Sequence, residues 1–341
     1  MVETTPRPQP TTGQLVDRFG RVATDLRVSL TDRCNLRCSY CMPADGLDWL
    51  PNERVLTDDE VVRLIRVAVE RLGIREVRFT GGEPLVRRGL VDIVRRTREL
   101  SPDLELSITT NGLGLARTAP ALKAAGLDRV NVSLDTIRAE TFAEITRRDR
   151  LHDVVAGLKE AADAGLGPVK INAVLLRGVN DQQAPELLAW AIDMGYELRF
   201  IEQMPLDAQH GWSRDGMVTA DEIFTMLERE FTLAPASEPR GSAPAELFTV
   251  DGGPATVGVI ASVTRPFCGD CDRVRLTADG QVRDCLFARK ESDLRTPLRD
   301  GAPDEELARL WTVAMAGKRA GHGIDDPTFL QPDRPMSAIG G

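Results

Sequence analysis

A repeated alternation of short β-type runs with longer helix-type stretches constrains this chain most. The β-type runs are LRVSLT (26–31), EVRFT (76–80), LELSITT (104–110), RVNVSLD (129–135), VKINAVL (169–175) and ELRFIE (197–202). Helical periodicity fills residues 58–72, 88–100, 114–125, 139–165 and 184–194. Thr57 followed by Glu60 is a capping-box signature at the start of the first helix. Strand, helix, strand in repetition favours a parallel sheet with right-handed crossovers. Six such strands predict an α/β fold, an open, partial (βα)6 barrel rather than a closed eight-stranded one.

The strands have two unlike faces. One parity is apolar: Leu26, Val28, Leu30, Val77, Phe79, Leu106, Ile108, Val132, Leu134, Leu198 and Phe200. The other is polar: Arg27, Ser29, Thr31, Arg78, Thr80, Ser107, Thr109, Asn131, Ser133, Asp135, Lys170, Asn172, Glu197 and Arg199. Successive side chains point to opposite faces of a strand. The apolar face therefore packs on the helices, and the polar face lines the concave interior. Barrel interiors are ordinarily filled with branched aliphatics. A polar interior carrying Arg27, Arg78, Lys170 and Arg199 predicts a wet cavity for a charged ligand. A half-exposed antiparallel sheet is the alternative, and the intervening helices disfavour it. A single arginine is most often a surface ion-pair partner; four cations on one inner face are hard to explain that way.

After about residue 235 the texture changes. ASEPRGSAPAE reads as a loop. Short β-type pieces follow around 247–250, 256–263, 273–277 and 281–286, then a helix over 303–317 and an irregular end. The expected organisation is a disordered tail over 1–20, a barrel over 21–235 and a C-terminal region over 236–341. The net charge of −9 argues against nucleic acid as a partner. No apolar run is long enough to span a bilayer, and the N-terminus lacks a signal-peptide core. The expected location is the cytoplasm, where clustered cysteines point to metal or catalysis rather than disulfides.

The six cysteines form two triplets, and none is left over. Cys34, Cys38 and Cys41 sit in TDRCNLRCSYCMP after the first strand; Cys268, Cys271 and Cys285 sit in FCGDCDRVRLTADGQVRDCLF. The close spacing lets each set of thiolates converge on one metal centre. Each set is one ligand short of a closed zinc site or a fully Cys-ligated cluster, so something else can bind. His152, His210 and His322 are the only histidines, and none has zinc-finger spacing. The second triplet looks like half a zinc ribbon, and zinc in a non-catalytic binding module stays a rival reading there.

CxxxCxxC after strand one, with Tyr40 before the last cysteine, resembles the radical S-adenosylmethionine (SAM) signature, and Thr80-Gly81-Gly82-Glu83-Pro84 resembles the GGE motif of that family. The resemblance implies a [4Fe–4S] cluster on the first triplet with one open iron that SAM chelates. It implies SAM contacts at Tyr40, Gly82, Ser133 and Met204. The cofactor would supply a 5′-deoxyadenosyl radical, and the protein would position it.

LRVSLTDRCNLRCSYCMP, VRFTGGEPLVRR, TTNG, AGLDRVNVSLDT, INAVLLRGVND, FIEQMP, FCGDCDRVRLTADG and the terminal IGG are similar to the GTP-cyclising family of molybdenum-cofactor biosynthesis, over about residues 20 to 341. That resemblance implies a second [4Fe–4S] cluster on Cys268, Cys271 and Cys285, whose open iron meets guanine. It implies GTP contacts at Arg27, Arg78, Thr109, Lys170 and the run Arg273-Val274-Arg275, a further phosphate contact at Arg199, and catalytic roles for Arg273, Arg275, Gly340 and Gly341. The implied radical takes the 3′ hydrogen of the GTP ribose, the ribose carbon attacks C8, and reduction with protonation gives 3′,8-cyclo-7,8-dihydro-GTP. A low-potential donor, ferredoxin or flavodoxin, and a downstream cyclic pyranopterin monophosphate synthase are the implied partners, with room for a homodimer. Glu76 stands where the family usually has lysine, and Asp284 where it has proline. No phosphate contact is assigned to Glu76. A radical SAM peptide-modifying enzyme is the other enzymatic reading; such proteins usually carry more C-terminal cysteines than three.

Overall fold

Each of the six β-type runs forms a strand: β1 (Asp25–Ser29), β2 (Glu76–Thr80), β3 (Glu105–Thr110), β4 (Arg129–Ser133), β5 (Lys170–Val174) and β6 (Glu197–Ile201). They come from a computed structural model that describes residues 13–340. The six pair in sequence order, all parallel. Between them run α1 (Asp58–Leu72), α2 (Leu90–Arg98), α3 (Leu115–Ala124), α4 (Ala139–Thr146), α5 (Leu151–Asp163) and α6 (Ala184–Asp193). Helix α1 starts at the expected capping box, with Thr57 and Glu60 each accepting from the other's backbone N–H. The stretch 139–165, expected as one helix, is two, because Arg147 turns left-handed at φ 56°. The apolar strand parity is buried as expected: Leu26, Val28, Val77, Phe79, Leu106, Ile108, Val132, Leu198 and Phe200 join one core with Val61, Leu64 and Ile65 of α1. Each such side chain contributes about 1.5–3 kcal/mol through burial.

The rest of the chain adds β7 (Leu233–Pro235), β8 (Glu246–Val250), β9 (Thr256–Ile260), β10 (Arg273–Leu276), β11 (Gln281–Arg283) and β12 (Ser292–Asp293), with α7 (Ala220–Leu227), α8 (Arg295–Arg299), α9 (Asp304–Ala316) and α10 (Met336–Ile339). All twelve strands form one sheet in the order β12-β11-β10-β1-β2-β3-β4-β5-β6-β9-β8-β7. Strand β9 pairs parallel with β6, and β10 pairs parallel with β1. The C-terminal region therefore extends both edges of the barrel sheet, which stays open. Residues 261–272, joining β9 to β10, must cross from one edge to the other, and they carry Cys268 and Cys271. The antiparallel register Arg275↔Arg283 folds the chain back on itself. Continued by two residues, it brings Cys285 level with Arg273, close to Cys271.

The expected tail over 1–20 needs correction. Residues 1–12 lie outside the described residues, but Leu15–Val16 pair antiparallel with Val22–Ala23. Leu15 is fully buried in the core, which holds the hairpin down. Helix α7, unanticipated, also starts at a capping box, Thr219 with Glu222. Among the described residues no helix is long and apolar enough to cross a membrane.

Glu202, just past β6, is fully buried. Its carboxylate accepts from the N–H groups of Ala220 (2.8 Å), Val263 (2.8 Å) and Thr264 (2.9 Å) and from the Thr264 hydroxyl. This one side chain ties α7 and the crossing segment to the barrel. Glu202→Gln turns one acceptor oxygen into a donor facing donors. It should cost about 2 kcal/mol of stability, read as a lower urea midpoint at unchanged slope; an unchanged midpoint would show that those donors find other acceptors.

Candidate active site

The site begins with register. Arg275, Arg27 and Arg78 stand side by side across β10, β1 and β2. Ser133, Asn172 and Arg199 stand side by side across β4, β5 and β6. All belong to the polar parity, and all line one cavity of about 280 Å³ on the concave face.

Carboxylates at the strand starts neutralise part of this charge. Glu76 accepts from Arg78 at 2.6 Å and from Arg129 at 2.8 Å, and Lys170 pairs with Glu197 at 3.0 Å. Burial opposes ionisation of Glu76, but the Arg78 and Arg129 charges outweigh it and hold its carboxyl down to about 2. The residue in the usual lysine position thus orients two guanidinium groups. Toward the cavity the pairing thins. Arg27 approaches Asp25 only to 3.5 Å. The Nε of Arg27 and the Nη2 of Arg273 are buried without a hydrogen-bond partner. Burial, then the neighbouring Arg78, pulls Arg27 down to about 10; burial, against the pull of Glu197, does the same to Arg199. Burial, Arg27 and Arg273 lower Arg275 strongly. Crowded buried cations with idle donors are costly in isolation. A multiply charged anion offers the missing acceptors, and arginine binds such anions bidentately.

The first triplet lies on the loop after β1. The N–H groups of Cys41 and Met42 both donate to the Cys38 carbonyl, at 2.9 and 3.1 Å, and wind the loop tightly. The TGGEP loop presses against it. The Gly82 N–H donates to the Thr31 carbonyl at 2.7 Å, and a Cβ on Gly82 would meet the Asp32 carbonyl at 2.3 Å. Glycine at this position is required by loop-to-loop contact. Glu83 is fully buried and accepts from Leu85 N–H, the Thr110 hydroxyl and Asn111 N–H at 2.9, 2.7 and 2.7 Å. Burial pushes its carboxyl up to about 7 despite those bonds. Asn111, so fixed, places its Nδ2 3.7 Å from the Cys34 sulfur. Tyr40 donates to Asp135 at 2.9 Å, and burial pushes Asp135 up to about 6.

All six cysteines are free thiols. Burial pushes Cys34 and Cys38 up, and Cys41 to about 12. At Cys271 burial also acts upward, but the Arg273 and Lys318 charges bring the thiol down to about 7. Within each triplet the thiols feel one another's charge. Yet among the described residues no three His, Cys, Asp or Glu side chains gather as ligands of a single metal ion. A cubane cluster presents its irons at separate corners, so neighbouring but unconverged thiols suit it better than they suit zinc.

Of the expected site residues, Arg27, Tyr40, Arg78, Thr109, Ser133, Arg199, Met204, Cys268, Cys271, Arg273, Arg275 and Cys285 line this one cavity. Lys170 lies a row nearer the strand starts, in register with Asn131 and Glu197, outside the lining. The Val274 side chain is buried in the apolar core, because its parity is opposite to that of Arg273 and Arg275; a side-chain contact with substrate is ruled out there. Helix α10 docks the tail. The Ile339 carbonyl accepts from Ser29 Oγ at 2.8 Å, and the Gly340 carbonyl accepts from Arg275. Gly340 has φ 84°, and a Cβ there would sit 2.4 Å from Ser29 Oγ and 2.6 Å from Thr80 Cγ2. Gly341 lies outside the described residues. Asp135 and Asn172 also line the cavity; their polar parity was the signal for them. Phe267, with the Arg273 guanidinium 4.9 Å from its ring centroid, had no local signal.

Residues 28–191 match the model of the radical SAM superfamily, and residues 196–324 match the molybdenum cofactor synthesis C model. The chain is 69% identical over 328 residues to a GTP 3′,8-cyclase of Streptomyces coelicolor, covering 96% of each chain. It is 61% identical over 336 residues to a GTP 3′,8-cyclase of Corynebacterium glutamicum, covering 96% of this chain and 89% of that one. Among solved structures it is similar in fold to Streptococcus suis SuiB bound to S-adenosylmethionine, with TM-score 0.57 and 13% identity over 93% of this chain and 77% of that one. On the strength of near-complete coverage at this identity, the chain belongs to the GTP 3′,8-cyclase family, a branch of the radical SAM superfamily.

Proposed function

We propose that this protein converts GTP into 3′,8-cyclo-7,8-dihydro-GTP for molybdenum-cofactor biosynthesis, using SAM and an iron–sulfur cluster. One observation carries the reading beyond the family resemblance. The cavity that joins Tyr40, Ser133 and Met204 to the second cysteine triplet also holds Arg27 and Arg273, each with a buried donor lacking a partner, and the crowded Arg275. A nucleoside triphosphate matches such a site: it has several anionic oxygens for the guanidinium groups and a base for the far end. Cys34, Cys38 and Cys41 would hold one [4Fe–4S] cluster, and Cys268, Cys271 and Cys285 a second. When bound, the first cluster supplies the electron that cleaves SAM.

The chain's own residues then do four things. Arg27, Arg78 and Arg199, with Thr109 beside them and Lys170 behind, bind the triphosphate. Tyr40, Ser133, Met204 and the Gly82 loop hold SAM against the first triplet. The crossing segment positions the base near Cys268, Cys271 and Cys285. The tail holds the Arg275 guanidinium through the Gly340 carbonyl, and there Arg275 would act on the reacting base. Ferredoxin or flavodoxin would deliver the electron, and cyclic pyranopterin monophosphate synthase would take the product.

Anaerobically reconstituted protein should hold about eight irons, two cubes of four. Cys38→Ala should abolish SAM cleavage, whereas Cys271→Ala should keep some uncoupled cleavage and form no cyclised product. Four irons with stoichiometric zinc, or cyclised product from the Cys271 variant, would overturn the two-cluster assignment.

Arg27→Ala should weaken GTP by about 1.5–3 kcal/mol, roughly 10- to 150-fold, and guanosine far less. Isothermal titration with both ligands decides this; equal weakening would move Arg27 away from the phosphates.

Deleting Gly340 and Gly341 should leave iron content and GTP affinity nearly intact and stop product formation. A chain end is ordinarily dispensable, and normal turnover by the truncated protein would return this one to that class.

A further inference from the structure

Lys318 is 2% exposed, and no carboxylate forms an ion pair with it among the described residues. It follows α9, where its N–H donates to the Met315 carbonyl at 3.0 Å. Its ammonium has three acceptors: the Arg273 carbonyl at 2.8 Å, the Cys271 carbonyl at 3.3 Å and the Cys271 sulfur at 3.3 Å. Three N–H donors meet three acceptors, so the group is held in one orientation. Asp284, beside Cys285, feels the charge of this ammonium without forming an ion pair with it, and a buried ammonium without a paired carboxylate is unfavourable unless negative charge lies elsewhere. The sulfur is the one acceptor of the three that becomes anionic, because a thiolate is the form that ligates metal.

The surroundings hold this geometry. Arg21, from the N-terminal hairpin, donates to the carbonyls of Cys268, Arg319 and Ala320. It thereby clamps the segment after Lys318 onto the cysteine loop. At the first triplet the side-chain hydrogen bond to the Cys34 sulfur comes from the neutral Asn111 amide, at 3.7 Å, while the Arg37 cation acts on Cys34 through its charge without donating to the sulfur.

We propose that Lys318 is a positioning residue of the second cluster, a fixed positive charge that raises its reduction potential relative to the first. The inference rests on the reading that Cys268, Cys271 and Cys285 hold a cluster. Reduction adds one negative charge to a buried centre. A cation hydrogen-bonded to a ligand sulfur stabilises the reduced form more than the oxidised one, and hydrogen bonds to the sulfurs are an established determinant of cluster potential. The effect is large where the surroundings are buried and poorly screened.

The test is a dithionite titration of the full-length, reconstituted protein, followed by electron paramagnetic resonance, with iron counted in each sample. Lys318→Met keeps length and removes charge; Lys318→Arg keeps charge. In Lys318→Met the second cluster should become harder to reduce, by at least tenfold in the reduced-to-oxidised ratio, about 59 mV for one electron. The first cluster should not move, and Lys318→Arg should restore most of the shift. A second cluster present in Lys318→Met at the wild-type potential overturns the proposal. Loss of that cluster's iron in Lys318→Met but not in Lys318→Arg supports it, since charge is then needed to hold the cluster. Loss in both variants overturns it, since shape is then what matters. Four irons in the wild-type protein would instead refute the two-cluster reading, and this inference with it.

Discussion

Positive charge held inside a curved sheet is the constraint to which the rest of the structure responds. Arg275, Arg27 and Arg78 stand on adjacent strands with side chains on one face. Their mutual repulsion and burial oppose folding. Two compensations make the arrangement tolerable. Carboxylates at the strand starts, above all Glu76, take up the outermost donors. The apolar parity of the same strands buries against the helices, and that gain is large enough to carry strained electrostatics on the other face. What is left over is a set of buried donors without acceptors, a demand that an anionic ligand would meet.

The sheet topology decides what lines the far end of the cavity. Because β9 adds beside β6 and β10 beside β1, the connection between them has to span the open side of the barrel. Two cysteines ride on that connection, and the hairpin of β10 and β11 returns the third to them. A spacing of thirteen residues between Cys271 and Cys285 is thereby turned into proximity. The same stretch supplies Arg273 and Arg275, so one β-hairpin carries both cations and thiols. Glu202 anchors one end of the crossing segment, and Arg21 anchors the cysteine loop near the other.

The two triplets differ in electrostatic setting. Around Cys34, Cys38 and Cys41, burial dominates and pushes the thiols up. Around Cys271, Lys318 and Arg273 favour the thiolate. Two triplets of the same residue type are in this way made electrostatically unequal by their neighbours rather than by their cysteines.

Much of this is local and was legible in the residues. Alternating parity determines which side chains share a face, since the period of a strand is two whatever the tertiary context. Arg27, Arg78 and Arg199 were assigned to the interior on that ground, and the capping box of α1 and the six strands follow from equally local rules. Other features depend on residues far apart in the chain, and no local pattern encodes them. Leu15 holds a hairpin where composition suggests a tail, because the core that buries it comes from elsewhere. Val274 is buried in the core although its neighbours Arg273 and Arg275 line the cavity. Lys318 reads as an ordinary residue after a helix until the fold sets it against Cys271. Glu76 reads as a lost cation until Arg129, from two strands away, is brought to it. Parity and spacing are properties of a few consecutive residues; pairing of charges, docking of the tail and the crossing of the barrel's open side exist only once distant segments share a surface.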